Sequence, residues 1–217
     1  MQTKSTKASK SEIYSVIDIS EELKGVPASA KEDLKDQLGE LLVEQILDSL
    51  ASTQTPIQGG KYKATLSKDY AAKKKAETGS SAANLDLSGE LLNAIDYKIQ
   101  GNTIKIGVFG SDNAGKADGH NNFSGRSNLP TRQFLPEEGQ QFKKDIRDLI
   151  SETVDAYKAD NTELDSKKLN KIESKQDLYA YLAEELGLTS KAAIREAVLG
   201  SKGLIDVLDD FDLVDLL

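Results

Sequence analysis

Hydrophobic residues along the chain recur with two periods, and the switch between them sets the first element boundaries. In IYSVIDIS, residues 13–20, Ile13, Ser15, Ile17 and Ile19 alternate with Tyr14, Val16, Asp18 and Ser20, which predicts a short strand. From Ser29 onward the step lengthens to three and four residues. Leu34, Leu38, Leu41, Leu42, Leu47 and Leu50 form one face, and Glu32, Asp33, Asp36, Glu40, Glu44 and Asp48 largely occupy the other. That pattern predicts a long amphipathic helix with acid weighted to its start. The breaker cluster TQTPIQGG ends it. LSKDYAAKKKAETG then predicts a short helix with Ser67 as N-cap and Gly79 just past its end, and Lys73, Lys74 and Lys75 read as its solvated face.

Asp86 or Ser88 can cap a helical turn carrying Leu91 and Leu92, and IDYKIQ-GN-TIKIGVF reads as a β-hairpin turning near Gly101 and Asn102. Ile104, Ile106 and Val108 share one face of it, and Lys105 takes the other. Residues 110–117 read as a flexible loop at the end of the hairpin. Pro136, Glu137 and Glu138 suit a first helical turn, where proline wastes no donor and acids face the dipole. The helix is then expected to run through Phe142, Ile146, Leu149, Ile150, Val154 and Tyr157. The two long helices are the right size to cover one face of a small sheet.

At its ends the chain changes character. Residues 1–12 are rich in Lys, Ser and Thr without periodicity, which predicts a flexible N-terminal arm. Residues 159–175 are polar and read as a linker or a loosely packed helix. DLYAYLAEELG, TSKAAIREAVLG and GLIDVLDDFDLVDLL follow as three short amphipathic helices. The expected fold is therefore α+β: a small, mainly antiparallel sheet packed by two long helices, with a C-terminal helical extension. The expected division is an arm at 1–12, a core at 13–158, and a linker with a small helical extension at 159–217.

Composition narrows the chemistry. The 217 residues, 38% hydrophobic, suffice for one main core and an appendage. A net charge of −8 repels phosphate backbones and anionic bilayers, so neither sequence-specific nucleic-acid binding nor membrane association is expected. With no cysteine there is no disulfide, no thiolate nucleophile and no cysteine-ligated metal. No apolar run approaches the roughly 20 residues of a bilayer span, and the N-terminal MQTKSTKASKSE lacks an apolar segment behind its lysines. A soluble protein made in a reducing cytoplasm is expected.

Candidate chemistry is sparse. GSDNAGKA, residues 110–117, imitates a phosphate-cradling loop, but Ala117 stands where a magnesium-binding hydroxyl belongs and Asp112 would place a negative charge in the anion nest. No nucleotide and no other cofactor is expected. His120, the only histidine, could act as a general base with Asp112 or Asp118 in a small hydrolase, yet the sequence supplies no oriented partner; a structural or interface role is expected for it. The acidic C-terminal stretch lacks the central glycine and closing glutamate of a calcium loop, so no metal is expected. It reads as an amphipathic helix with Leu204, Ile205, Leu208, Phe211 and Leu217 inward, or as a tail that docks on a basic partner with Leu208 and Phe211 as its apolar contacts.

Two short motifs, in order, carry a resemblance. Leu87, Ser88, Gly89 and Leu91 precede the hairpin, and Pro130, Arg132, Phe134 and Leu135 precede the long second helix. Over residues 13–158 this series resembles the tail-completion and neck proteins of tailed bacteriophages, the virion-morphogenesis family. It departs from the family pattern where KADGHNNFSG lacks the usual Tyr-Ala. The resemblance implies a structural protein, not an enzyme, made in the host bacterial cytoplasm and located in the virion. It would assemble as a homo-oligomeric ring at the head–tail junction, as a neck, tail-completion or tail-terminator protein joining the tail to the head connector. Its partners would be itself and neighbouring neck, connector and tail proteins, with DNA passing through the ring lumen unread. The competing expectation is a cytosolic adaptor binding a basic partner through its acidic tail. Prolines 130 and 136 hold the segment between them extended, so Arg132 and Gln133 point apart. Pro130, Arg132, Phe134, Leu135, Pro136 and His120 are the expected partner-binding residues of the core, Arg132 offering a fork either to a carboxylate across a subunit boundary or to one within the chain.

Overall fold

The computed structural model describes residues 1–28, 30–62, 66–82, 85, 89–123 and 130–217. The chain divides into two units, residues 1–21 with 35–148 and residues 22–34 with 149–217. The division therefore falls inside the two long helices, while the sequence reading divides the chain after residues 12 and 158.

The first unit is built on a four-stranded antiparallel sheet of order β1-β2-β4-β3, from β1 (Gln2–Ala8), β2 (Glu12–Asp18), β3 (Ile95–Gln100) and β4 (Thr103–Phe109). The period-two pattern of β2 and of the β3–β4 hairpin is realised as read. Ile13, Ile17, Ile95, Ile104, Ile106 and Val108 are all buried, and paired residues across the strands keep them on one face. Helix α1 (Lys31–Ala51) buries Leu38, Leu42, Ile46 and Leu50 at four-residue steps in this unit, while Leu41 and Leu47 flank that stripe half-buried. Its Gly39 lies against the ring of Tyr97 on β3, where a Cβ would come within 2.2 Å. Only glycine permits that approach. Helix α2 (Lys68–Thr78) has the caps its sequence announces: the Ser67 side chain accepts from Tyr70 N, and Gly79 takes a left-handed conformation. Lys74 is an exception to the solvated lysine face, buried with its Nζ donating to Ala82 O at 2.5 Å. Asp86 and Ser88, the candidate caps before the hairpin, lie outside the described residues.

Three expectations for this unit are corrected. The N-terminal arm is strand β1, held by its ladder to β2 and by Thr3, which donates its N–H to Gln140 O at 3.2 Å and accepts from Gly139 N at 3.0 Å. Backbone pairing and the ion pairs Lys4–Asp18 and Lys7–Glu12 recruit it, none of which shows as an apolar periodicity. The loop expected at 110–117 is instead part of helix α3 (Ser111–Asn121), which packs against β2 and β4 through the buried Ala114 and Ala117. Tertiary contact outweighs its two interior glycines. Finally, Pro136 does not begin a helix. Gly139 sits at φ 80°, Gln140 N donates to Glu137 O in a turn, and helix α4 (Lys144–Asp160) starts eight residues later than proline chemistry suggested.

The second unit is helical. The end of α4 contributes Ile150, Val154 and Ala159, and Tyr157 donates its hydroxyl to Asp33 Oδ2 at 2.8 Å and Ala30 O at 3.0 Å. Helices α5 (Ser166–Leu169), α6 (Lys175–Leu186), α7 (Lys191–Gly200) and α8 (Lys202–Asp209) close around Leu178, Leu182, Ile194, Val198, Leu204 and Leu208. The segment expected as a linker is packed: Leu169 is 1% exposed, and Asp165 N donates to the Tyr181 hydroxyl at 2.8 Å. The C-terminal stretch is not one helix. It breaks after α8, Asp212 takes φ 55°, and a 3₁₀ turn at Val214–Leu216 follows.

Candidate functional site

The proline-bracketed ribbon is threaded through the interior of the first unit. Asn121, 1% exposed at the end of α3, clamps it: its Oδ1 accepts from Phe134 N at 2.9 Å and Leu135 N at 2.7 Å, while its Nδ2 donates to Leu135 O at 3.1 Å. Arg132 N donates to His120 O at 2.9 Å. The next carbonyl, Gln133 O, accepts from Tyr62 OH at 2.9 Å and Thr55 Oγ1 at 3.2 Å. Beyond it, Pro136 O accepts from Ser15 Oγ at 2.5 Å, on the buried face of β2. Extended backbone between two prolines cannot satisfy its own polar groups, so flanking side chains do so.

This geometry changes the meaning of the residues singled out for partner binding. Phe134 and Leu135 are fully buried, Pro136 is buried and Arg132 is 5% exposed; only Pro130 of that set is exposed. The ribbon is core, and a neighbouring copy cannot reach those side chains in the folded unit. Leu208 is likewise fully buried and Phe211 half-buried, both packed in the second unit's own core. His120 is half-buried. Burial, and after it the nearby Arg132 guanidinium, lower its pKa below the ordinary histidine value. Burial also pushes the Tyr62 phenol up, with Arg132 acting in the opposite direction.

Neither acid weighed as a partner for His120 pairs with it. Asp118 is two residues away on the same helix, a spacing at which side chains do not face each other. His120 Nδ1 and Asp118 Oδ1 are both buried without a hydrogen-bond partner among the described residues. Asp112 is at the opposite end of α3, roughly 12 Å along the axis by helical rise. The phosphate-loop imitation fails for a different reason. Gly115 and Lys116 lie inside α3, and the Lys116 Nζ is 2.9 Å from Glu90 Oε2. Among the described residues there is no group of three or more His, Asp or Glu side chains placed to hold a metal, and no helix is long and apolar enough to cross a membrane.

A surface feature went unread in the sequence. Register places Lys7 opposite Tyr14, and Val16 opposite Lys105, which is in turn opposite Lys98. These side chains lie on the sheet face opposite the buried isoleucines. Tyr14 and Phe109 stack there with centroids 5.8 Å apart, Lys98 Nζ lies 4.1 Å over the Phe109 ring, and Lys105 Nζ lies 5.2 Å over Tyr14. Lys4 and Lys7 are paired with Asp18 and Glu12, whereas Lys98 and Lys105 form no ion pair among the described residues. The exposed Asp96 and the paired Glu12 and Asp18 share this face, so among the described residues its positive charge without an ion pair is that of Lys98 and Lys105, on a chain of net charge −8. The four principal residues of the face come from three separate segments, and only strand register unites them.

No protein-family model, curated protein or solved structure matches the chain.

Proposed function

We propose that this chain is a structural virion protein of a tailed bacteriophage, located at the head–tail junction, where it forms a ring and joins the tail to the head connector. The observation that supports this reading is the order of the elements. The β3–β4 hairpin is followed by α3, then by the Pro130–Pro136 ribbon, then by the long helix α4. In the virion-morphogenesis family a strand pair and a Pro-x-Arg-x-Phe element precede the last core helix in that order. Leu87 and Ser88 of the first motif lie outside the described residues; Gly89 and the buried Leu91 lie within them.

On this reading the ribbon shapes the subunit instead of gripping its neighbour, and contacts between copies fall to exposed surfaces. The chain acts by assembly and performs no reaction. Quantitative mass spectrometry of purified particles is the test. The protein should be present at a fixed ratio to the other neck components, and the isolated chain should assemble in solution. Particles containing none of it would end the proposal. The adaptor reading is favoured by one observation, the exposure of Asp206, Asp209, Asp210, Asp212 and Asp215. It would be preferred if the chain occurred in infected cells only as a monomer bound to a basic protein outside particles.

A further inference from the structure

Ring assembly by identical subunits requires two different surfaces that fit each other. Two surfaces carry opposite charges that form no ion pair among the described residues. One is the open sheet face with Lys98, Lys105, Tyr14 and Phe109. The other is the C-terminal turn, residues 204–217, which carries five aspartates and no basic residue. All five are exposed, and none forms an ion pair among the described residues.

We propose that the open face of the β1-β2-β4-β3 sheet of one copy receives the aspartate-rich C-terminal turn of a second copy, joining subunits head to tail. This inference rests on the ring reading given above and names the contact that makes the ring.

The chemistry of the face selects carboxylates over nucleic-acid bases. Bases stack on free aromatic surfaces. Here Tyr14 and Phe109 stack on each other, and three ammonium groups lie over their rings, Lys7 at 5.7 Å, Lys105 at 5.2 Å and Lys98 at 4.1 Å. Lys7 is already paired with Glu12, so the layer leaves the Lys98 and Lys105 ammonium groups over apolar ring, where carboxylates can pair with them under partial desolvation.

The size of the face sets the strength of the contact. Four strands about 4.8 Å apart, three of seven residues and one of six, offer on the order of 400 Å². That is half of the roughly 800 Å² per partner of a stable pair. A single contact is therefore weak and salt-sensitive, and closing a ring, in which every copy makes two, stabilises the assembly.

The experiment uses the full chain in sedimentation velocity at roughly 50 mM and about 500 mM salt, conditions that shorten the screening length several-fold. The wild type should assemble at low salt and dissociate at high salt. The variant K98E/K105E and, separately, D209K/D210K should each self-associate at least ~10-fold more weakly, because like charges then face each other. Circular dichroism of both should match the wild type, and D209K/D210K alters only exposed positions should the sheet variant fold poorly. An equimolar mixture of the two variants should regain assembly, since each altered surface finds its complement on the other chain. If K98E/K105E is folded and assembles as the wild type does, or if the mixture fails to regain assembly, this contact is wrong while the ring reading stands. A wild type that stays monomeric at low salt sinks both. Wild type that carries bound nucleic acid, lost in K98E/K105E, would give the face to nucleic acid and overturn the proposal.

Discussion

Asn121 satisfies two consecutive backbone N–H groups with one oxygen and returns a hydrogen bond to the carbonyl between them and the turn. Removing it strands donors in a buried site, each at about 1–3 kcal/mol. Asn121→Ala should therefore lower unfolding stability in urea by about 2–4 kcal/mol, more than an average surface change. Asn121→Asp, which keeps the acceptor, should retain more of the ribbon's amide protection in hydrogen exchange. His120 makes a pH prediction. Burial first, and Arg132 second, lower its pKa, so the unfolded chain binds the proton more readily than the folded one. Stability from the neutral ring is present above about pH 6.5, the ordinary histidine value, and falls as pH drops below it toward the lowered folded value. Chemical denaturation over that range should show this acid limb, and His120→Gln should flatten it. Asp18 acts in a separate window. Its carboxylate is held down to about 2, chiefly by Lys4 and then by Ser20, so its contribution persists until pH falls below about 4.

Elements announced by their own side chains were legible in the sequence; those recruited by neighbours were not. The alternation in β2 and β4 and the caps of α2 needed no partner to be recognised. Strand β1 has almost no apolar residue, and its only buried members are Thr3 and the backbone it lends to β2. Its amides in the β2 ladder should exchange much more slowly than those of an unstructured arm, and amides exchanging at random-coil rates would refute the strand. Helix α3 carries only a faint sign in the sequence, the small or polar set Ala114, Ala117 and Asn121 at steps of three and four. Glycines 115 and 119 argued more loudly for a loop. The approach of α1 to β3 was invisible because it depends on an absent side chain. Gly39→Ala would put a methyl into the Tyr97 ring, and a cost of about 1–3 kcal/mol is expected in thermal or urea unfolding. Tyr97→Ser in the same chain should recover part of that loss.

On the scale of the whole molecule, excess negative charge opposes compactness, and Lys98 and Lys105 stand on the open sheet face against that background. Salt should therefore act in opposite directions on the two properties: adding it should raise the thermal midpoint by screening self-repulsion while weakening association between copies. Differential scanning fluorimetry and sedimentation on the same samples would separate them. The candidate surface was illegible from sequence because Tyr14, Lys98, Lys105 and Phe109 are scattered over nearly a hundred positions, and only register brings them together. The ribbon was legible as an element, through its prolines and its arginine and phenylalanine, but sequence could not say that both of its sides would be covered. The stacked pair on the open face also offers an optical probe. The chain has no tryptophan, so Phe109→Trp would install a lone indole between Tyr14 and Lys98, and its emission colour and quenching would register whatever settles over those rings.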